Sequence, residues 1–179
     1  MLLEDECHLL WGDTCGRVWG KRNAPLEVPI TNARERQTYY GAVNLLTREF
    51  HLKAFPAGKG EYTVAYLRWL RERYPDKPII LLWDGASYHR DGQVKALLAE
   101  VNDGQAEQAW QLCCLPFAPN APDQNPVEDI WLQGKNYLRK NFALNKTFAA
   151  VKQCFSHFLR QLTFDSVKFS WYAPTPQVI

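Results

Sequence analysis

Strand-like apolar runs fill the first third of the chain, and helical periodicity alternates with short apolar runs in the rest. Residues 1–11 place Leu2 and Leu3 before the acidic triplet Glu4-Asp5-Glu6, and Leu9, Leu10 and Trp11 after it, which predicts a first strand. Arg17-Val18-Trp19 predicts a short second one. Residues 38–46 are rich in strand formers, and residues 48–55 alternate well enough to pair with them as a hairpin across Thr47. Beyond Gly58-Lys59-Gly60, the residues Tyr62, Ala65, Tyr66, Trp69, Leu70 and Tyr74 recur at helical spacing until Pro75 ends the run. Ile79 to Trp83 is unbroken apolar sequence that stops at Asp84, the pattern of a strand buried on both faces. Asp91 suits the cap of a helix through Val94, Leu97, Leu98 and Val101, which Asn102-Asp103-Gly104 breaks. Residues 110–115 predict another strand, and the prolines of 116–123 exclude regular structure. Helical periodicity returns from about Val127 to about Phe142, and again over roughly 148–162.

This order is a β-meander followed by alternating helices and strands. It predicts an α/β fold: a mixed central sheet, antiparallel at the N-terminal end and parallel beyond, flanked by helices. No repeat or low-complexity linker divides the 179 residues, so one domain over 1–165 is expected, with a tail over 166–179 that carries Pro174 and Pro176. A hydrophobic content of 46% with 22% charged residues is that of a globular chain and argues against disorder. The 21 basic residues against 19 acidic leave a formal charge of +2, so any basic surface must come from arrangement. No apolar run reaches the length of a membrane span. Cys7, Cys15, Cys113, Cys114 and Cys154 form no C-x-x-C pair and read as buried free thiols in a reducing cytosol rather than a zinc site.

The candidate chemistry lies in the acids. Asp84, just past a buried strand, falls at the carboxyl edge of a sheet, where open α/β sheets bind ligands; alone it equally well caps the turn at Gly85. Asp5 in the first strand and Glu128 at the start of a helix fall at comparable places. Three carboxylates converging on one point repel unless cations sit between them, and such hard oxygen ligands select Mg²⁺ or Mn²⁺. On the helix, Val127, Ile130, Trp131, Gly134 and Leu138 share one face. Glu128 flanks that face, and Asp129 lies opposite and is expected in solvent. Asp5 and Glu6 point to opposite sides of their strand, with Glu4 on Glu6's side. Neither periodicity nor charge chooses between them.

Three blocks carry a resemblance. Asp5-Glu6 is followed by Gly16-Arg17-Val18-Trp19. Leu81-Leu82-Trp83-Asp84 is followed by His89. Pro116-Phe117-Ala118-Pro119 leads into Asn125-Pro126-Val127-Glu128-Asp129-Ile130-Trp131. In this order they resemble the DDE catalytic domain of the IS630/Tc1/mariner transposases, over about Leu2 to Lys140. The resemblance implies an RNase H-like fold and metal-dependent cleavage and transfer of DNA strands. It implies two Mg²⁺ (or Mn²⁺) ions held by Asp5, Asp84 and Glu128 as catalytic and metal-binding acids, and so settles Asp5 over Glu6. It also implies double-stranded DNA as partner (transposon ends and target), a possible homodimer, and a bacterial cytoplasmic, nucleoid-associated location. Gly85 departs from the Asn common in relatives, and the interval from Asp84 to Glu128 looks longer than usual. The resemblance covers the catalytic half alone, without the N-terminal helix-turn-helix region. That portion is expected to be separately encoded or frameshift-fused, or the chain to be a remnant; by itself it is expected to bind DNA weakly.

Other residues complete the expected site. Glu6, His89 and Asn125 are expected near it: His89 on a metal-bound water, on phosphate or in a structural hydrogen bond, and Asn125 as helix cap with Pro126 in the first turn. Lys21, Arg22, Lys135 and Arg139 are candidates for DNA phosphates, against solvated surface. Trp131 is expected to anchor the helix in the core rather than to stack on bases. Two alternatives to the transposase stay open: a nuclease of the same fold without strand transfer, and an inert fragment that only binds DNA or dimerises.

Overall fold

The computed structural model describes residues 1–11, 21–23, 35–118 and 122–172. Five strands, β1 (Leu2–Leu10), β2 (Arg36–Asn44), β3 (Phe50–Phe55), β4 (Ile79–Trp83) and β5 (Leu112–Pro116), form one sheet in the order β3-β2-β1-β4-β5. β1 runs antiparallel to β2 along its whole length and parallel to β4, which is parallel to β5. The sheet is therefore mixed, with the most acidic strand at its centre. Asn44 shapes the β2–β3 turn, its Oδ1 accepting from the N–H groups of Leu46 (2.9 Å) and Thr47 (3.2 Å). The predicted strand at Arg17-Val18-Trp19 lies outside the described residues, as does Cys15; the four described cysteines form no disulfide with one another, Cys7 being buried and Cys113, Cys114 and Cys154 half-buried.

Side chains alternate across β1 as strand geometry requires. Leu3, Cys7 and Leu9 join the core beneath α3 (Val127–Lys140) and α4 (Phe148–Gln161). Leu2 joins the core on the other face, beneath α1 (Gly60–Arg73) and α2 (Gly92–Val101). Gly134 lets α3 and α4 approach, since a Cβ there would lie 2.6 Å from the Phe155 ring. Asp91 Oδ1 accepts from the Gln93 N–H at 2.8 Å and caps α2 as expected.

One expectation is corrected. β4 is not buried on both faces: Ile79, Leu81 and Trp83 lie under α1 and α2, but Ile80 is 43% exposed on the other face. α3 and α4 pack over β1 to β3 and leave that part of β4 uncovered. The packed chain also extends beyond residue 165. Val167–Tyr172 forms a 3-10 helix whose Phe169 is only 2% exposed, under the Arg48 guanidinium at 4.0 Å. The apolar spacing of Phe164 and Phe169, both in the α3/α4 core, is too short to register as an element of its own.

Candidate active site

Asp5 lies in β1 on the α3 face, between Leu3 and Cys7. Its neighbour across the β1–β2 ladder is Gly41. A Cβ at Gly41 would lie 2.4 Å from the Phe50 ring and 2.5 Å from the Trp131 ring, so a glycine is what lets the indole lie against the sheet. From there Trp131 Nε1–H donates to Asp5 Oδ2 at 3.0 Å. Trp131 is 5% exposed, so it anchors the core as expected and also orients the first acid, a role its apolar spacing did not signal.

Asp84 follows β4, the parallel neighbour of β1. The register pairs Leu2 with Leu81 and Leu3 with Leu82, and the same offset of 79 residues brings Asp5 level with Asp84. Asp84 is half-exposed; its Oδ1 accepts from the Ala86 N–H at 2.8 Å and lies 3.2 Å from His89 Nδ1. The His89 hydrogen bond, with that of Ala86, holds the Asp84 carboxyl below its usual range.

Glu128 is exposed in the first turn of α3. Asn125 fixes where that turn begins. Its Nδ2 donates to the Glu4 carbonyl at 3.1 Å, and its Oδ1 accepts from the Val127 N–H at 3.1 Å. Pro126 already has helical angles (φ −69°, ψ −14°). The expected cap is thus present one residue ahead of the regular helix, and it ties α3 to the peptide unit that precedes Asp5. Partial burial raises the Glu128 pKa from its ordinary value, Lys168 opposes the rise, and Asp129, Asp123 and Asp84 add to it.

Asp5 feels both of the other acids. Burial, then the charges of Glu6, Asp84 and Glu128, push the Asp5 carboxyl up to about 8. Among the described residues no cationic side chain pairs with Asp5 or Glu128. A partly buried carboxylate raised by neighbouring acids, with no cationic side chain paired to it, suits a hard divalent cation.

Other predicted residues are placed differently. His89 is 5% exposed, stacked on Trp83 at 4.2 Å and 3°, with Nδ1 3.1 Å from the Asp84 carbonyl and Nε2 3.0 Å from Glu6 Oε1. It is the structural alternative, a buried clamp, and not a group facing phosphate. Burial would lower its pKa, but the hydrogen bonds with Asp84 and Glu6 and the charge of Glu4 raise it to about 10. Glu6 sits with His89 on the α1 face, away from Trp131. Asp129 is not simply solvated: it binds Lys168 Nζ at 3.0 Å and accepts from Ser166 at 3.4 Å. With Tyr172 donating to the Gln124 carbonyl at 2.7 Å, these bonds fasten residues 166–172 beside the start of α3. Sequence reasoning missed Lys168, because it fell in the expected tail. Lys21 and Arg22 are exposed and belong to no strand or helix among the described residues. Lys135 is half-buried on α3, about 10 Å along the axis from Glu128 at helical rise. Arg139 donates to Asn136 Oδ1 at 3.0 Å.

A mixed five-stranded sheet in the order β3-β2-β1-β4-β5, with helices packed on both of its faces, defines an RNase H-like fold. The profile of the DDE superfamily endonucleases matches residues 1–149, and the chain belongs to that family. Its fold is similar to that of the Mos1 transposase in its paired-end complex with the left transposon end (TM-score 0.61, 14% identity, 96% of this chain and 50% of that one). It is also similar to a chain of the simian T-cell lymphotropic virus intasome (TM-score 0.59, 9% identity, 98% and 55%) and to the catalytic core domain of BIV integrase (TM-score 0.52, 14% identity, 96% and 91%). The chain spans about half the length of the Mos1 chain it matches. No curated protein matches the sequence. No described helix is long and apolar enough to cross a membrane.

Proposed function

We propose that this chain is the catalytic core of an IS630-type DNA transposase, which cleaves DNA strands at transposon ends and joins them to target DNA. The observation that supports the reading is the parallel β1–β4 register, whose offset brings Asp5 level with Asp84, together with the Trp131–Asp5 hydrogen bond that ties in the helix carrying Glu128, in a chain of the DDE endonuclease family. These three carboxylates would hold two Mg²⁺ or Mn²⁺ ions, whose charge stabilises the attacking and leaving oxygens of an in-line phosphodiester displacement. The protein's own part is positional. Trp131 holds the Asp5 carboxylate in one orientation, the Ala86 N–H and His89 hold that of Asp84, and Asn125 sets the start of the helix that carries Glu128. The nucleophile is water in cleavage and a DNA 3′-hydroxyl in transfer, with no covalent protein intermediate.

Lys21, Arg22, Lys135 and Arg139 contact DNA phosphates in this reading. Recognition of the transposon ends falls to a helix-turn-helix portion supplied in the same or another chain, and two copies pair the two ends. The place of action is the nucleoid in the bacterial cytoplasm.

The test is plasmid nicking and strand transfer with Mn²⁺, comparing wild type with Asp84→Asn, which keeps an acceptor for the Ala86 N–H and removes the charge. Wild type nicks and joins, and Asp84→Asn does neither. Equal nicking by both proteins sinks the assignment. Nicking without joining, when a DNA-binding portion and a pre-cleaved end are supplied, reduces the activity to that of a nuclease.

A further inference from the structure

On the face of β1 turned away from Asp5 lies a second group of ligand-type atoms. Glu4 and Glu6 project from β1 toward α1, and His89 reaches them from the 3-10 helix Ser87–Arg90 that follows β4. The side chains of Glu4, Glu6 and His89 are 1%, 2% and 2% exposed. His89 Nε2 lies 3.0 Å from Glu6 Oε1 and 3.8 Å from Glu4 Oε2, and one ligand atom from each residue falls within 4.8 Å of the others. Two ligands at right angles, each about 2.1 Å from an ion, lie about 3.0 Å apart, which is the His89–Glu6 spacing.

The imidazole is oriented as a ligand. Nδ1 faces the carbonyl oxygen and Oδ1 of Asp84, at 3.1 and 3.2 Å. Both are acceptors, so Nδ1 keeps its hydrogen and Nε2 is the nitrogen that gives up its proton to take an ion. The stack on Trp83 holds the ring in that orientation. Glu4 is the telling residue. Both of its carboxylate oxygens are buried without a hydrogen-bond partner. A single proton on Nε2 answers Glu6 and leaves both oxygens of Glu4 without a partner, which is unfavourable for a buried polar group. One divalent cation among the three side chains satisfies Glu4, Glu6 and Nε2 together.

We propose that Glu4, Glu6 and His89 bind one divalent transition-metal ion of the Zn²⁺, Mn²⁺ and Co²⁺ class at a buried structural site separate from Asp5, Asp84 and Glu128. An imidazole beside two carboxylates favours that class over Mg²⁺, whose sites are built from oxygen ligands and water. The ion ties β1 to the turn after β4. Through Nδ1 of His89 it also fixes Asp84, so the structural site sits behind the proposed catalytic one. The proposal does not depend on the transposase reading, since the site is judged by what it binds.

The experiment uses the full chain carrying Asp5→Asn and Glu128→Gln, which removes two of the three proposed catalytic ligands and leaves the cluster intact. After chelator treatment this protein is titrated with Co²⁺, followed by visible absorption, by calorimetry and by the shift in Tm. One equivalent of Co²⁺ is expected to bind, with ligand-field bands and a rise in Tm, and Mg²⁺ is expected to give no rise. Adding Glu4→Gln to this background removes a buried carboxylate without a partner. That protein should fold in chelator at least as stably as its parent, yet show neither the bands nor the Co²⁺-dependent rise. Adding His89→Gln instead should also abolish the bands. The proposal is overturned if the double variant binds no Co²⁺, if Glu4→Gln retains full binding, or if Mg²⁺ raises Tm as much as Co²⁺ does.

Discussion

Trp131 Nε1–H donates to Asp5 Oδ2 at 3.0 Å, so a core residue of α3 aims the central carboxylate of β1. The same indole packs edge-on to Phe50 at 5.3 Å and stacks on Phe155 at 6.2 Å, so its own position is over-determined. Trp131→Phe keeps most of the ring packing and deletes the donor. A lost hydrogen bond to a charged group costs about 1.5–3 kcal/mol, and removing the partner that orients a metal ligand costs roughly 10–100-fold in metal affinity or activity. The expected result is a folded protein that needs more Mn²⁺ for half-maximal nicking. An unchanged Mn²⁺ dependence would show that the bond to Asp5 does nothing for the site.

Gly41 is the other half of this arrangement. Its missing Cβ makes room for Phe50 and Trp131, which would both approach an added methyl to within about 2.5 Å. Overpacking of this kind costs about 1–3 kcal/mol. Gly41→Ala should lower the urea midpoint accordingly and weaken nicking, by pushing the indole off Asp5. Combined with Trp131→Phe, it should add less than its separate effect on nicking, because both changes break the same hydrogen bond.

The Asn125 side chain links the backbone segments that carry two of the three acids, donating to the Glu4 carbonyl on one side and accepting from the Val127 N–H on the other. Asn125→Ala leaves both groups buried without these partners, at about 1–3 kcal/mol. Asn125→Asp can keep the bond from Val127 but loses the donor to Glu4. Both variants should reduce nicking, and only Asn125→Asp should retain the helix-cap share of stability in chemical denaturation. Equal stability loss in the two variants would mean that the bond to Glu4 is the one that matters.

The sheet and the helices were legible because each element carries its own period. The first strand, the β2–β3 hairpin, the four helices and the run ending at Asp84 all appear where spacing put them, and Asp5 and Glu6 do point to opposite faces. The equal offset, 79 residues in both the β1–β4 register and the Asp5–Asp84 interval, could be computed from sequence but not interpreted until the strands were known to be parallel neighbours. Contacts between distant elements were illegible. Nothing local to Gly41 announces an indole brought from residue 131, and nothing local to Lys168 announces Asp129. His89 was legible as a residue near the site, but its side of the sheet was not, since it follows a turn whose direction the sequence leaves open. The apolar run Ile79 to Trp83 misled because the pattern records hydrophobicity and not which faces the helices cover.

The basic candidates for DNA make a salt-dependent prediction. Deleting one side chain that binds a phosphate should reduce the slope of log affinity against log salt by about 1, and should weaken binding evenly across sequences. Lys21→Ala, Arg22→Ala, Lys135→Ala and Arg139→Ala are each expected to do so in filter binding to unrelated duplexes. A variant that weakens affinity with no change in slope is not acting through phosphate.

The pH dependence of stability follows from Asp5. Its folded pKa is raised to about 8, chiefly by burial and then by Glu6, Asp84 and Glu128, against an unfolded value near 4. The folded state therefore binds the proton more tightly than the unfolded state does. This stabilisation is fully present below about pH 4 and is lost as pH rises through about 8, with a slope of roughly 1.4 kcal/mol per pH unit between the two values. In chelator, the Tm of wild type should fall relative to that of Asp5→Asn across this window, with Asp5→Asn the more stable protein at pH 8. His89, raised to about 10, adds a loss between about pH 6.5 and 10 that both proteins share. Mn²⁺ competes with protons for the same carboxylate, so it should restore wild-type Tm strongly at pH 8 and weakly at pH 5. Parallel Tm curves for wild type and Asp5→Asn from pH 4 to 8 would contradict the raised pKa. A Mn²⁺ effect at pH 8 undiminished in Asp5→Asn would remove Asp5 from the ligand set.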